Sequence, residues 1–241
     1  MIKDNILKIK GRVKSACSKI NIDPNSIIIV CVSKNRTVEQ IKEVISLGLI
    51  NIGENRVQEA VLKYNAIRNS AKRSEASPEG TQYAQRIKWH MIGHLQTNKA
   101  KEAVGIFDLI HSVDSRHLAE EINKQAARIN KVQEILVEVK TSPEAAKSGI
   151  KPEKTVEFVQ EISRLTNIRV IGLMTIAPLV DDPEKTRPYF RALRELRDRI
   201  NGLSALSCQL STLSIGMSDD FEIAIEEGAT MIRLGRAIFG E

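Results

Sequence analysis

Apolar residues at Ile2, Ile6, Ile9, Val13, Ala16 and Ile20 recur at helical spacing, and Asp23-Pro24 closes that helix before the next element begins. Ile27 to Val32 follows as an unbroken apolar run rich in β-branched residues, the pattern of a strand covered on both faces, as in a parallel sheet. From Ser33-Lys34 onward the two periods alternate. Helices are predicted over Val38–Leu47, Arg56–Ile67, Asn98–Val104, Leu118–Ile129, Thr155–Leu165, Glu184–Ile200 and Asp220–Glu227. Strands are predicted over Ile50–Ile52, Ile87–Ile92, Phe107–Ile110, Ile135–Val139, Arg169–Leu173, Gln209–Leu213 and Thr230–Leu234. Eight strands separated by helices, with no Asn-Gly hairpin signal, predict one α/β domain over residues 1–241. The expected architecture is a (β/α)8 TIM barrel with an extra N-terminal helix, and an open doubly wound sheet is the alternative. Asn65–Arg86 breaks the rhythm: it is polar, with Pro78 and Gly80, and predicts a surface insertion.

Length and composition agree with this picture. A chain of 241 residues suits a lone barrel, and 42% hydrophobic against 27% charged residues excludes a chain disordered throughout. No apolar run is long enough to span a bilayer, and Met1–Asp4 leads into a charged amphipathic stretch rather than a signal-peptide core, so a cytoplasmic, membrane-free protein is expected. Cys17, Cys31 and Cys208 are far apart and form no Cys-x-x-Cys pair, so they read as buried small hydrophobes. The net charge of +6 would suit an anionic ligand, but cations and anions are interleaved and aromatics are only 4%, which argues against nucleic acid. No interface pattern is visible, and a monomer is expected.

In α/β barrels the chemistry gathers where strands end. Those positions hold Lys34 after the first strand, Gly53-Glu54-Asn55 after the second, Gly93-His94 after the third, Ser214 to Ser218 after the seventh and Gly235-Arg236 after the eighth. Lys34 follows an apolar run that would desolvate its amine and make it a better nucleophile, as a Schiff-base lysine requires. The plain alternative is a lysine that has left the strand for water. Ser214, Gly216, Ser218, Gly235 and Arg236 fit a phosphate held by glycine turns and a helix start. Taken singly they also fit turn glycines and a capping serine, with Ser218 placed before Asp219-Asp220 as an N-cap.

Several motifs in order carry a family resemblance. They are Val32-Ser33-Lys34, Gly53-Glu54-Asn55-x-x-Gln58-Glu59, Trp89-His90-x-Ile92-Gly93-x-Leu95-Gln96-x-Asn98-Lys99, Lys147-Ser148-Gly149, Gly172-Leu173-Met174, Leu213-Ser214-x-Gly216-Met217-Ser218-x-Asp220 and Arg233-x-Gly235-x-x-x-Phe239-Gly240. Together they resemble the pyridoxal phosphate homeostasis (YggS-like) proteins along essentially the whole chain. The resemblance implies a fold-type III barrel like that of alanine racemase, with pyridoxal 5'-phosphate (PLP) as cofactor on Lys34. It further implies Arg233 facing the pyridine nitrogen, Ser214, Ser218, Gly235 and Arg236 around the phosphate, and Asn55 beside the ring. It implies vitamin B6 homeostasis, supply of PLP to PLP-dependent apoenzymes and no established turnover. Lys147 would either take PLP transiently, by analogy with the family, or decorate a loop.

The competing class is an amino-acid racemase or lyase using the same Schiff base. Racemases of this fold carry a further β domain, and this sequence stops after its eighth βα unit, so a solitary barrel with an open cofactor is expected. Such openness favours cofactor exchange over carbanion control. His90 and His94, four apart but flanking a strand end, do not read as metal ligands, and His111 and His117 read as structural histidines. Glu54 and Glu59 are expected only to serve a helix dipole.

Overall fold

A computed structural model describes residues 1–73, 87–142, 144, 148–203 and 209–240. Its eight parallel strands close in sequence order: β1 Ile28–Val32, β2 Asn51–Glu54, β3 Lys88–Met91, β4 Leu109–Val113, β5 Gln133–Glu138, β6 Ile168–Met174, β7 Thr212–Ser214 and β8 Met231–Leu234, with β8 pairing back to β1. The open-sheet alternative is thereby excluded. Around the barrel lie α2 Val38–Ser46, α3 Val57–Arg73, α4 Ala100–Ile106, α5 Arg116–Arg128, α6 Pro152–Ile162, α7 Arg187–Asn201, α8 Phe221–Glu226 and the short α9 Arg236–Phe239. The leading helix α1, Ile2–Lys19, buries Ile2, Ile6, Ile9, Val13, Ala16 and Cys17 and packs on α8 and α9. Its apolar stripe had no strand of its own to cover, and those two helices complete its burial. Among the described residues no helix is long and apolar enough to cross a membrane.

Strand alternation sorts the side chains into two cores. Cys31, Ile52, Trp89, Met91, Ile110, Ile135, Val137, Leu213 and Ile232 join the large core shared with the helices. Val30, Val32, Ile92, Leu109, Leu136, Met174 and Met231 fill the inside of the barrel. Gly53 falls on an inward position where a Cβ would lie 2.7 Å from Val30 Cγ1, so only glycine leaves room for the plug.

Several boundaries differ from the sequence expectation. The fourth strand runs over Leu109–Val113 rather than Phe107–Ile110, because Phe107 closes α4 and Asp108 turns its carboxylate to the Trp89 N–H. The seventh strand is Thr212–Ser214 rather than Gln209–Leu213. The segment expected as a polar insertion begins as helix: α3 continues through Asn65 to Arg73, a stretch rich in good helix formers. Residues 74–86, Cys208 and Lys147 lie outside the described residues. Cys17 and Cys31 are buried and free, and burial pushes the Cys31 thiol up to about 12.

Candidate functional site

The strands' carboxyl ends open into a cleft of about 440 Å³ lined by Lys34, Asn55, Ser218, Arg233, Gly235 and Arg236, together with His94, Glu138, Ser142 and Thr175. Residues from both ends of the chain meet there because β8 pairs with β1. Ser214 does not line the cleft. It is fully buried below the mouth, with its hydroxyl between His111 and Arg233.

The turn that carries Lys34 is held from behind. Ser33 N–H donates to Gly53 O at 3.0 Å, and Asn35 takes the left-handed conformation at φ 59°. Lys63 from α3 reaches under the turn and donates to Ser33 O (2.5 Å), Glu54 (2.7 Å) and Glu59 (2.6 Å). Ser33 Oγ donates to the same Glu54 oxygen, and Asn35 N–H donates to Glu59 at 2.7 Å. Glu54 is on the outward phase of β2, behind the barrel wall, where burial pushes its carboxyl up and Lys63 and Ser33 pull it down. Glu59, for all its partial burial, is held below the usual carboxylate range by Lys63 and the Asn35 N–H. These two carboxylates anchor the turn, a role beyond the helix dipole expected of them. The desolvation expected at Lys34 is not found: β1 ends at Val32, and the turn lifts the lysine side chain out, exposed, onto the rim.

Arg233 is 4% exposed on the floor of the cleft. Its Nη1 donates to Ser214 O and Oγ, both at 2.7 Å, and its Nη2 to Thr175 O at 3.0 Å. Burial pulls the guanidinium down to about 10, opposed by Asp220 and Glu138, and it stays cationic at neutral pH. Its Nε–H and remaining Nη2–H have no acceptor among the described residues. A cation with spare donors on a cleft floor is a seat for an acceptor atom of a ligand.

A hydrogen-bonded chain crosses the barrel from this arginine. Arg233 can only donate, so Ser214 Oγ accepts from it and gives its own hydrogen to His111 Nδ1 at 2.9 Å. His111 Nε2–H then donates to His90 Nδ1 at 3.0 Å, and His90 Nε2–H to Asn51 Oδ1 at 3.1 Å. Both histidines are neutral, because burial pulls His90 down to about 4 and His111 well below its ordinary value. His111 is thus a satisfied structural histidine, as expected, and His117 is exposed on α5. His94 stands apart from His90, out on the rim, 3.5 Å from Asp114.

The loops after β7 and β8 lie side by side. Gly216 takes φ +87°, and a Cβ there would meet Ala224 Cβ at 2.5 Å, so the close turn before α8 requires glycine. Ser218 does not cap α8: its Oγ accepts from Ala237 N–H at 3.2 Å across the two loops, while Asp220 accepts from Met217 N–H at 2.6 Å. Arg236 pairs with Asp219 on the exposed edge. Glu138 and Thr175, at the ends of β5 and β6, were not singled out from the sequence. Glu138 carried the same signal as Lys34, a charge at the end of an apolar strand.

The family model described as "Alanine racemase, N-terminal domain" matches residues 29–241. A curated relative from Aquifex aeolicus (strain VF5), named pyridoxal phosphate homeostasis protein, is 41% identical over 238 residues, covering 99% of this chain and 97% of its own. The protein of the same name from Escherichia coli (strain K12) is 33% identical over 240 residues, covering 99% and 96%. The chain belongs to the pyridoxal phosphate homeostasis protein family. PipY of Synechococcus elongatus PCC7942, whose structure is described as having PLP bound, superposes with a TM-score of 0.82 at 32% identity over the full length of both chains. An alanine racemase of Clostridium difficile 630 shares the fold at a TM-score of 0.71 and 16% identity, with 99% of this chain matching 60% of that one. The family and the closed barrel are those the sequence motifs implied.

Proposed function

We propose that this chain holds PLP as a Schiff base on Lys34 and passes it to PLP-dependent apoenzymes, as a carrier in vitamin B6 homeostasis. The observation that carries the reading is the convergence, in one open cleft, of the Lys34 amine, the Arg233 guanidinium with spare donors, and the paired loops bearing Ser218, Gly235 and Arg236. The residues fit the group. About 440 Å³ is ample for a cofactor of that size, the amine suits its aldehyde, and a buried cation that only donates suits an unprotonated pyridine nitrogen. Ser218 and Arg236 would take the phosphate, with Asn55 beside the ring. Ser214 would act one step removed, by fixing Arg233. PLP bound there supplies a reactive carbonyl for amine exchange.

Homologues are named as homeostasis proteins rather than as enzymes, which supports the carrier reading. The racemase or lyase reading has one observation in its favour, a carboxyl at Glu138 across the cleft from Lys34. The test of the assignment is borohydride reduction of the PLP-loaded protein followed by peptide mapping. Label on Lys34 supports it, and label found only on another lysine overturns it.

A further inference from the structure

β5 stands four strands round the closed barrel from β1, so the end of β5 builds the wall of the cleft that faces Lys34. Glu138 sits on that wall, 7% exposed and turned inward by the alternation that also turns Leu136 inward. No hydrogen-bond donor among the described residues reaches its carboxyl. Ser142 Oγ, buried on the same wall, likewise has no partner among the described residues. The other carboxylates near the mouth are engaged: Asp114 with His94, Asp219 with Arg236 and Asp220 with the Met217 N–H. Keeping an unpartnered carboxyl and hydroxyl away from water costs stability, and a donor arriving in the cleft would relieve it.

We propose that Glu138 and Ser142 form the entry subsite for the primary amine that displaces Lys34 from the cofactor, with Glu138 as the base that deprotonates the incoming ammonium. The inference rests on the Schiff-base reading above. The incoming nitrogen arrives as R–NH3⁺ and gives one proton to the Glu138 carboxylate. Its freed lone pair bonds to the imine carbon, its two remaining protons pass to the Lys34 nitrogen, and the bond from that carbon to Lys34 breaks. Lys34 leaves as a neutral amine, and Glu138 gives up its proton to Lys34 or to solvent. Nothing is oxidised or reduced. The fit lies in the placement: the amine enters from the side opposite the one it replaces, past a carboxylate that meets it first. Groups facing Glu138 set its readiness. Burial and the Asp114 charge push it up to about 7, Arg233 pulls it down, and Lys140 and Lys34 share the cleft. A base poised near neutral pH is the most effective kind at that pH.

The experiment mixes the PLP-loaded full chain with excess glycine or with hydroxylamine and follows loss of the protein-bound chromophore in stopped flow. Hydroxylamine is already neutral at pH 7 and needs no base. In Glu138→Gln the ratio of the glycine rate to the hydroxylamine rate falls by about 100-fold, and Glu138→Asp restores part of it. The wild-type glycine rate climbs through pH 7 and then levels, whereas in Glu138→Gln it follows the free-amine fraction to higher pH. In the cofactor-free protein a ¹³C carboxyl signal absent from Glu138→Gln titrates near pH 7. An unchanged ratio overturns the proposal, and so does an equal loss with both nucleophiles, which marks a structural role. Glu138-dependent exchange of the glycine α-proton in deuterated water would assign the residue to racemase-type chemistry instead. Failure of the parent reading shows separately, as borohydride label missing from Lys34, and overturns both.

Discussion

At the scale of single residues, the cleft joins an exposed amine to a fixed cation. Lys34 sits on a turn whose backbone is pinned from behind by Lys63, so removing its side chain touches none of the packing. Lys34→Ala is expected to abolish the yellow colour of the PLP-loaded protein while shifting stability by no more than about 0.5 kcal/mol, read by absorbance and thermal melting. A melt unaltered together with a retained, reducible chromophore would place the cofactor elsewhere. Glu138 gives a pH test of its own. Its carboxyl titrates at about 7 in the folded chain and near 4.5 in the unfolded one, so between these values the unfolded state sheds its proton first. Its ionisation therefore adds no cost below pH 4.5, and a penalty grows to about 3 kcal/mol above pH 7. Glu138→Gln should match wild type in acid and exceed it in stability at neutral pH and above, in denaturant titrations run across that range. Lys34, Ser218 and Arg236 were legible in the sequence because each follows a strand end. The Asn51–His90–His111–Ser214–Arg233 chain was not, since it joins residues from five separate strands through the barrel interior, and a misplaced fourth strand left His111 outside its element.

At the scale of elements, alternation of the two periods was enough to give eight strands, because buried parallel strands are apolar on both faces and each helix keeps one apolar stripe, and the pairing of β8 with β1 then decided the closed barrel over the open sheet. The ends of β4 and β7 were harder to read, since pairing partners set them rather than local composition. The paired loops after β7 and β8 are joined by Ser218 and the Ala237 N–H, a hydrogen bond no local pattern announces. If those loops hold a phosphate, Ser218→Ala combined with Arg236→Ala should weaken PLP more than pyridoxal, by roughly 1.5–3 kcal/mol for each charge-assisted hydrogen bond removed. Equal weakening of both ligands in fluorescence titrations would remove the phosphate from this edge. A different junction secures α7 to α8. Glu227, 3% exposed, takes Arg187 at 3.2 Å, Arg191 at 2.9 Å and Arg194 at 3.1 Å, and these guanidiniums hold its carboxyl below the usual range despite its burial. Glu227→Ala should cost about 2 kcal/mol by denaturation, less than a fully buried pair would, because the three guanidiniums can turn to water. A change under about 0.5 kcal/mol would show the cluster to be a surface feature only.

At the scale of the whole molecule, the question is whether the barrel would drive the chemistry of bound PLP or only keep it. Stabilising a carbanion through the PLP ring is easiest with a protonated pyridine nitrogen, which a facing carboxylate would favour. In the proposed seating of PLP, Arg233 would take the place of that carboxylate. It remains a cation even with burial lowering it to about 10, its other donors are tied to Ser214 and Thr175, and the neutral histidine chain behind it offers no proton. A ring whose nitrogen accepts from such a group is a weaker electron sink. The cleft is also open to solvent at Lys34, whereas control of a carbanion calls for excluded water and positioned groups. Amine exchange needs no exclusion of water, only a carbonyl within reach and a base for the arriving ammonium, and Glu138 is placed to be that base. The expected outcome is therefore fast exchange without turnover: amino acids screened in deuterated water should exchange their α-protons no faster with the wild-type protein than with free PLP. Exchange several orders of magnitude above free PLP, and lost in Lys34→Ala, would make the protein a racemase or lyase and Glu138 its second acid/base.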